Sequence, residues 1–169
     1  MRIYLIGFMG SGKTFTGKQL AEKLGFLFLD LDLLIEAEAG MDIAQIFKKF
    51  GEDHFREAER KALHFTLELE NAIISTGGGT PCFFDNMEWI NRHGKSIYLD
   101  TPPQILTQRL LPERDHRPLL RSFDEHTLLE FIQSKLSERA YFYRKAAIIY
   151  RQDQLSGHIT DDLVNLLNE

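Results

Sequence analysis

The sequence predicts an α/β fold, a parallel sheet covered by helices on both faces, and three observations carry that reading. Short apolar runs alternate with longer stretches of helical spacing along the chain. The runs are bounded by polar or turn residues, as buried strands are. Glycine-rich and charged segments fall directly after the runs, where open parallel sheets bind their ligands.

Taken in order, strands are expected at residues 3–5, 27–29, 73–75, 97–99 and 148–150. Helices are expected at 14–24, 52–70, 86–92, 103–111, 127–143 and 160–167. The stretch 52–70 has the clearest periodicity: Phe55, Ala58, Ala62, Phe65 and Leu69 recur at steps of three and four, one apolar stripe facing a core. With 169 residues and no repeat, low-complexity tract or Pro/Ser-rich linker, the chain is expected to form one domain, 1–169.

The net charge of −5 offers no global field for nucleic acid or an anionic membrane, so neither is an expected partner. An anionic ligand must then be held by local Arg, Lys and backbone N–H groups. The apolar run at 3–6 is too short for a membrane span or a signal core. Cys82 is the single cysteine, so no internal disulfide can form and a reducing cytoplasm fits; its setting after Pro81 suggests packing over chemistry.

The first loop carries the strongest signal. Gly7-Phe8-Met9-Gly10-Ser11-Gly12-Lys13-Thr14 is a complete G-x-x-x-x-G-K-[ST] pattern between a predicted strand and a predicted helix. Its glycines let consecutive N–H groups turn toward phosphate oxygens, and the helix that follows adds its positive end. Lys13 suits the β- and γ-phosphates of ATP, and the Thr14 hydroxyl suits Mg2+.

At the end of the second strand, strand alternation is expected to send Asp30 and Asp32 to the same side, separated by Leu31. Beside a triphosphate, Asp30 would hold Mg2+ or its water, and Asp32 would accept a hydrogen bond from the hydroxyl to be phosphorylated. The competing reading of Asp32 is a helix N-cap. On the long helix, Arg56 and Glu59 are three residues apart and can pair, which would aim the guanidinium; a solvated surface pair has the same spacing.

Ser75-Thr76-Gly77-Gly78-Gly79 follows the third strand and exposes bare backbone to close approach by a ligand. No acid closes that strand, which leaves Asp30 as the metal-facing residue. The polar, Pro-bounded stretch around Arg117 reads as a lid that brings a cation to the phosphates; Arg114 and His116 beside it read as solvated. Arg139, near the end of the next helix, either reaches the acceptor or faces solvent.

Together GFMGSGKT, LDLD, FREAE, STGGG, HRPLL and ERAYFYR stand in the order and spacing of the shikimate kinase family, which the chain resembles along nearly its whole length. The resemblance implies a P-loop NTPase three-layer α/β/α sandwich with a five-stranded parallel sheet. It also implies a helical substrate-binding region at about 33–65 and a mobile lid at about 110–123. It implies that Gly10, Ser11, Gly12, Lys13, Thr14 and Phe15 hold ATP with Arg109 near the adenine, that Thr14 and Asp30 serve Mg2+, and that Lys13, Asp32 and Arg117 are catalytic. Asp32, Arg56, Gly78, Gly79 and Arg139 would bind shikimate, Arg139 on its carboxylate. The implied product is shikimate 3-phosphate, in aromatic amino-acid biosynthesis, and the implied state is a monomer. Two stretches depart from the family: Ala140-Tyr141-Phe142-Tyr143, where a Pro-Leu-Tyr is usual, and the adenine-facing residues 151–155.

The nearest alternative is a P-loop kinase acting on gluconate or a nucleoside monophosphate. A second base would want an aromatic or amide slot, whereas this chain offers Arg and Asp. Gluconate is also a polyhydroxy acid and is disfavoured chiefly by the GGG and RPLL matches. A binding module without turnover should have lost Asp32 or Arg117, and both are present. A nucleic-acid motor would need a basic stripe.

Overall fold

A computed structural model describes residues 1–152 and 158–169 of the chain. Five strands, β1 (Arg2–Ile6), β2 (Leu27–Asp30), β3 (Ala72–Ser75), β4 (Lys95–Asp100) and β5 (Ile148–Arg151), form one sheet in the order β2-β3-β1-β4-β5. Every pairing is parallel, with Ile3 opposite Ile73 and Leu5 opposite Ile97. The five expected strands are all present, each within two residues of its expected ends.

The sequence of β1 shows why the sheet is covered on both sides. Successive strand side chains point to opposite faces, and Ile3, Tyr4, Leu5 and Ile6 are all fully buried. Ile3 and Leu5 enter a core shared with α1 (Lys13–Leu24) and α8 (Ile159–Asn168). Tyr4 and Ile6 enter a second core with α4 (Glu52–Phe65), α5 (Asn86–His93) and Tyr143 at the end of α7 (Glu125–Tyr143). A third core sits above the sheet, where Phe8 packs against Leu106 and Leu110 of α6 (Pro103–Leu110) and against Leu120, Leu128 and Ile132.

Periodicity alone did not mark the two helices between β2 and α4. These are α2 (Leu31–Ala39) and α3 (Ile43–Phe50). Local chemistry starts both: Asp30 caps α2, and Asp42 with Gln45 forms a reciprocal capping box on α3. The helix expected at 52–70 ends at Phe65. Thr66 is fully buried there; its hydroxyl donates to the Leu63 carbonyl at 2.6 Å and pairs with the Tyr4 hydroxyl at 2.8 Å. The chain then tightens into a 3-10 turn, Thr66–Glu68. Between α6 and α7 the stretch expected as a lid is made of 3-10 turns, Leu111–His116 and Pro118–Leu120.

The strand order positions the site. From β1 the chain crosses β3's place to make β2, returns to β3, then crosses β1 to reach β4. The loops after β1 and β3 therefore diverge at neighbouring strand ends, the place where doubly wound sheets open a ligand crevice.

Candidate active site

The loop between β1 and α1 has positive φ at Gly10 (81°) and Gly12 (92°), conformations that a Cβ would strain. Ser11 is fully buried. Lys13 Nζ donates to the carbonyl oxygens of Gly7 at 2.7 Å and Phe8 at 3.0 Å, so the ammonium lies inside the loop it follows. Burial pulls the Lys13 ammonium down to about 8, against the stabilising carboxylates of Asp32 and Asp30. Phe15 is 67% exposed, at the rim.

The two aspartates differ from the strand-alternation expectation. β2 ends at Asp30 and α2 begins at Leu31, so Asp32 stands in a first helical turn. Asp30 takes the cap that was expected at Asp32: its Oδ1 accepts from the N–H groups of Asp32 at 3.0 Å and Leu33 at 3.4 Å. The other oxygen, Oδ2, accepts from the Thr14 hydroxyl at 2.8 Å. Capping leaves the Asp32 carboxylate free for other work. Burial pushes Asp32 up to about 6, helped by the Asp30 and Glu59 carboxylates and opposed by Lys13.

Around the glycine triplet the packing is tight enough to explain why no side chain is present. A Cβ on Gly77 would lie 2.9 Å from Glu59 Oε2 and 3.0 Å from Asp32 Oδ1. On Gly78 it would lie 3.0 Å from Arg139 Nη1, and on Gly79 2.8 Å from both terminal nitrogens of Arg56. Arg56, Arg139 and Asp32 thus converge on one bare stretch of backbone.

Arg56 is aimed as the i, i+3 spacing predicts. Its Nη1 donates to Glu59 Oε1 at 2.9 Å, and its guanidinium lies 3.9 Å from the centre of the Phe83 ring. Glu59, 1% exposed, also accepts from the Thr80 hydroxyl at 2.7 Å. A buried carboxylate held from two sides is a fixed rest for a guanidinium. Arg139 lies over the Phe8 ring at 5.4 Å, and Tyr143 beneath it donates to the Gly78 carbonyl at 2.6 Å.

A cavity of about 480 Å³ is lined by Lys13, Thr14, Asp30, Asp32, Gly78 and Arg117, and also by Gly10, Gly12, Phe15 and Arg109. The Arg117 side chain is 43% exposed there and paired with Glu113 at 2.9 Å, within the stretch expected as a lid. Arg114 departs from the solvated reading: its Nη1 donates to the Phe123 carbonyl at 3.3 Å. Arg109 is held by the Gly10 carbonyl at 3.0 Å and by Gln152 at 3.3 Å. Of the stretch 151–155 expected to face adenine, residues 153–155 lie outside the described residues. A second cavity, about 360 Å³, opens away from this site beside Tyr98, Asp100 and Arg144.

The family model of shikimate kinase matches residues 9–168. A shikimate kinase of Phocaeicola vulgatus is 46% identical over 154 residues, 91% of this chain and 88% of that protein. The chain belongs to the shikimate kinase family. Its fold is that of the family's solved members. The shikimate kinase of Bacteroides thetaiotaomicron superposes with a TM-score of 0.94 at 42% identity, over 100% of this chain and 99% of that one. The shikimate kinase of Acinetobacter baumannii, solved in complex with shikimate, superposes with a TM-score of 0.87 at 34% identity, over 99% and 92%.

Several members of the site escaped the sequence reading. Gly77 and Thr80 lie within or beside the quoted glycine motif, and the hydrogen bond of Thr80 to Glu59 could have been sought there. Tyr143 lies in ERAYFYR, but its hydroxyl is placed only by the crossing of α7 over the loop after β3. Gln152, beyond β5, lies in the stretch 151–155 expected to face adenine, but nothing in the sequence singled out its side chain.

Proposed function

We propose that the chain transfers the γ-phosphate of ATP to the 3-hydroxyl of shikimate, giving shikimate 3-phosphate for aromatic amino-acid biosynthesis. One observation carries the reading. A phosphate loop with a buried lysine opens into the cavity that Asp32 lines, and Asp32 and two fixed arginines meet at the glycine triplet. Shikimate is a carboxylated triol. Arg139 forks its carboxylate with help from Arg56, while Asp32 and the backbone at Gly78 and Gly79 take hydroxyls.

Asp32, as carboxylate, accepts the hydrogen bond of the attacking hydroxyl and orients its oxygen toward the γ-phosphorus. Lys13 exchanges the Gly7 and Phe8 carbonyls for phosphate oxygens, and Arg117 exchanges Glu113 for the transferring group. Both cations then neutralise charge on the equatorial oxygens, the main demand of phosphoryl transfer. Arg109 flanks the nucleotide at the wall it shares with Phe15.

Thr14 Oγ1 and Asp30 Oδ2, two hard oxygens 2.8 Å apart on the cavity wall, suit Mg2+. That ion usually keeps phosphate and water ligands and takes few from protein. When bound, the ion would supply positive charge that offsets the charge of the phosphates. The working unit is a single kinase domain, 1–169, with residues 33–65 closing on the acceptor and 110–123 as lid. It acts as a monomer in the cytoplasm; among the described residues no helix is long and apolar enough to cross a membrane.

The test is ADP release by purified protein with ATP and Mg2+, with shikimate, gluconate and nucleoside monophosphates offered in parallel and Lys13→Met as control. Turnover with shikimate, absent in the control, is expected. Preference for another acceptor overturns the acceptor assignment.

A further inference from the structure

We infer that Gln152 is a positioning residue for the nucleotide, clipping Arg109 to the phosphate loop. Gln152 directly follows β5, and its N–H donates to the Asp100 carbonyl at 2.8 Å, which continues the sheet and fixes its backbone. Its side chain, 8% exposed in total, is used in both directions. Oε1 accepts from Nη1 and Nη2 of Arg109, each at 3.3 Å. Nε2 donates to the Ser11 carbonyl at 3.0 Å. Arg109 Nη1 also donates to the Gly10 carbonyl at 3.0 Å, so one network ties the end of α6, the end of β5 and the phosphate loop together.

Chemistry selects an amide for this place. Reversing it would set NH2 against the guanidinium and oxygen against the Ser11 carbonyl, two repulsive contacts, so its orientation is determined. A carboxylate would keep the first contact and lose the second. An ammonium would lose the first.

Two consequences follow for the ligand. The guanidinium of Arg109 is presented to the cavity wall in one orientation before any nucleotide arrives, which spares that ordering on binding. A trans peptide also points its C=O and N–H in opposite directions. Fastening the Ser11 carbonyl to Gln152 therefore aims the Gly12 N–H away from Gln152, and Gly12 lines the cavity. Gln152 acts through both groups and touches no phosphate itself.

The proposal rests on the nucleotide reading of the cavity and not on the identity of the acceptor, and the experiment separates the two. ADP and shikimate affinities are measured by calorimetry for the wild type, Gln152→Met, Gln152→Glu, Arg109→Ala and the double variant Arg109→Ala/Gln152→Met, with thermal midpoints alongside. Gln152→Met is expected to weaken ADP binding at least threefold with shikimate affinity unchanged. The same substitution in the Arg109→Ala background should cost clearly less, because the shared partner is gone. Gln152→Glu, which keeps an acceptor against Arg109, should bind ADP better than Gln152→Met. The idea is overturned by a smaller ADP effect, by equal losses with and without Arg109, or by parallel loss of ADP and shikimate affinity with a lowered midpoint. A wild type that binds ADP but not shikimate would remove the acceptor assignment and leave Gln152 standing; one that binds no ADP would remove both.

Discussion

At Asp32 and Lys13, burial moves two opposite charges toward each other in pKa, one up to about 6 and the other down to about 8. The proposed transfer needs Asp32 ionised and Lys13 protonated. For the free enzyme, kcat/KM for ATP is therefore expected to rise through about pH 6 and to fall above about pH 8. A profile flat across about pH 5 to 7 would take Asp32 out of the mechanism. Asp32→Asn should remove most turnover while ATP binding stays nearly unchanged; near-wild-type turnover would likewise exclude Asp32 from the reaction. Gly79 is the steric counterpart. A methyl there meets the terminal nitrogens of an Arg56 already held by Glu59 and Phe83, so it cannot simply swing aside. Gly79→Ala should weaken shikimate about tenfold, on the order of 1.4 kcal/mol, with ADP affinity intact by calorimetry.

The helix α3 shows how local chemistry substitutes for periodicity. The cap on α3 is exposed and reciprocal, and Asp42→Ala is expected to cost about 1 kcal/mol. In a chain of this length that lowers the thermal midpoint by roughly 2–4 °C, and an unchanged midpoint would remove the cap from the account. Where α4 meets α5, His64 and His93 each pack against the single tryptophan, Trp89, at 4.7 and 4.4 Å between ring centres. Burial first, and Arg60 second, hold His64 below its ordinary 6.5, and its Nε2 is buried without a partner among the described residues. The unfolded chain then binds that proton more readily than the folded one. Stability from this site is complete above about pH 6.5 and is lost as pH falls below it. His64→Phe should flatten that part of the stability profile, followed by Trp89 fluorescence; an unaltered slope would exclude His64 as its source. The cap of α3 could be found in the sequence, since D-x-x-Q is a local signal. The end of α4 could not, because Thr66 stops it only by reaching Tyr4 across the core.

For the molecule as a whole, the proposed lid is tied by a weak pair. Arg117 and Glu113 are both exposed and four apart on the chain, a pair worth about 0–1 kcal/mol in water. Phosphate, with more charge and better geometry, should win Arg117 from it. Closure over both substrates is therefore expected to raise hydrogen-exchange protection around Arg117 when nucleotide and shikimate are added together. Equal protection with and without them would sink the idea. Gly7 to Thr14, the five strands, the helices other than α2 and α3, and the segments proposed to meet the acceptor were legible because each is encoded by neighbours in sequence: turn glycines, apolar runs, periodic stripes. Their meaning as one site was legible only by resemblance to a family. Tertiary structure alone decided that β3 lies between β1 and β2, that Asp30 and not Asp32 caps α2, that Glu59 stands between Arg56 and Thr80, and that Gln152 fastens Arg109 to the loop. Each of these is a contact between segments distant along the chain or a choice between equivalent neighbours. Such contacts are settled by packing and hydrogen-bond satisfaction across the whole fold, which no local pattern of residues contains.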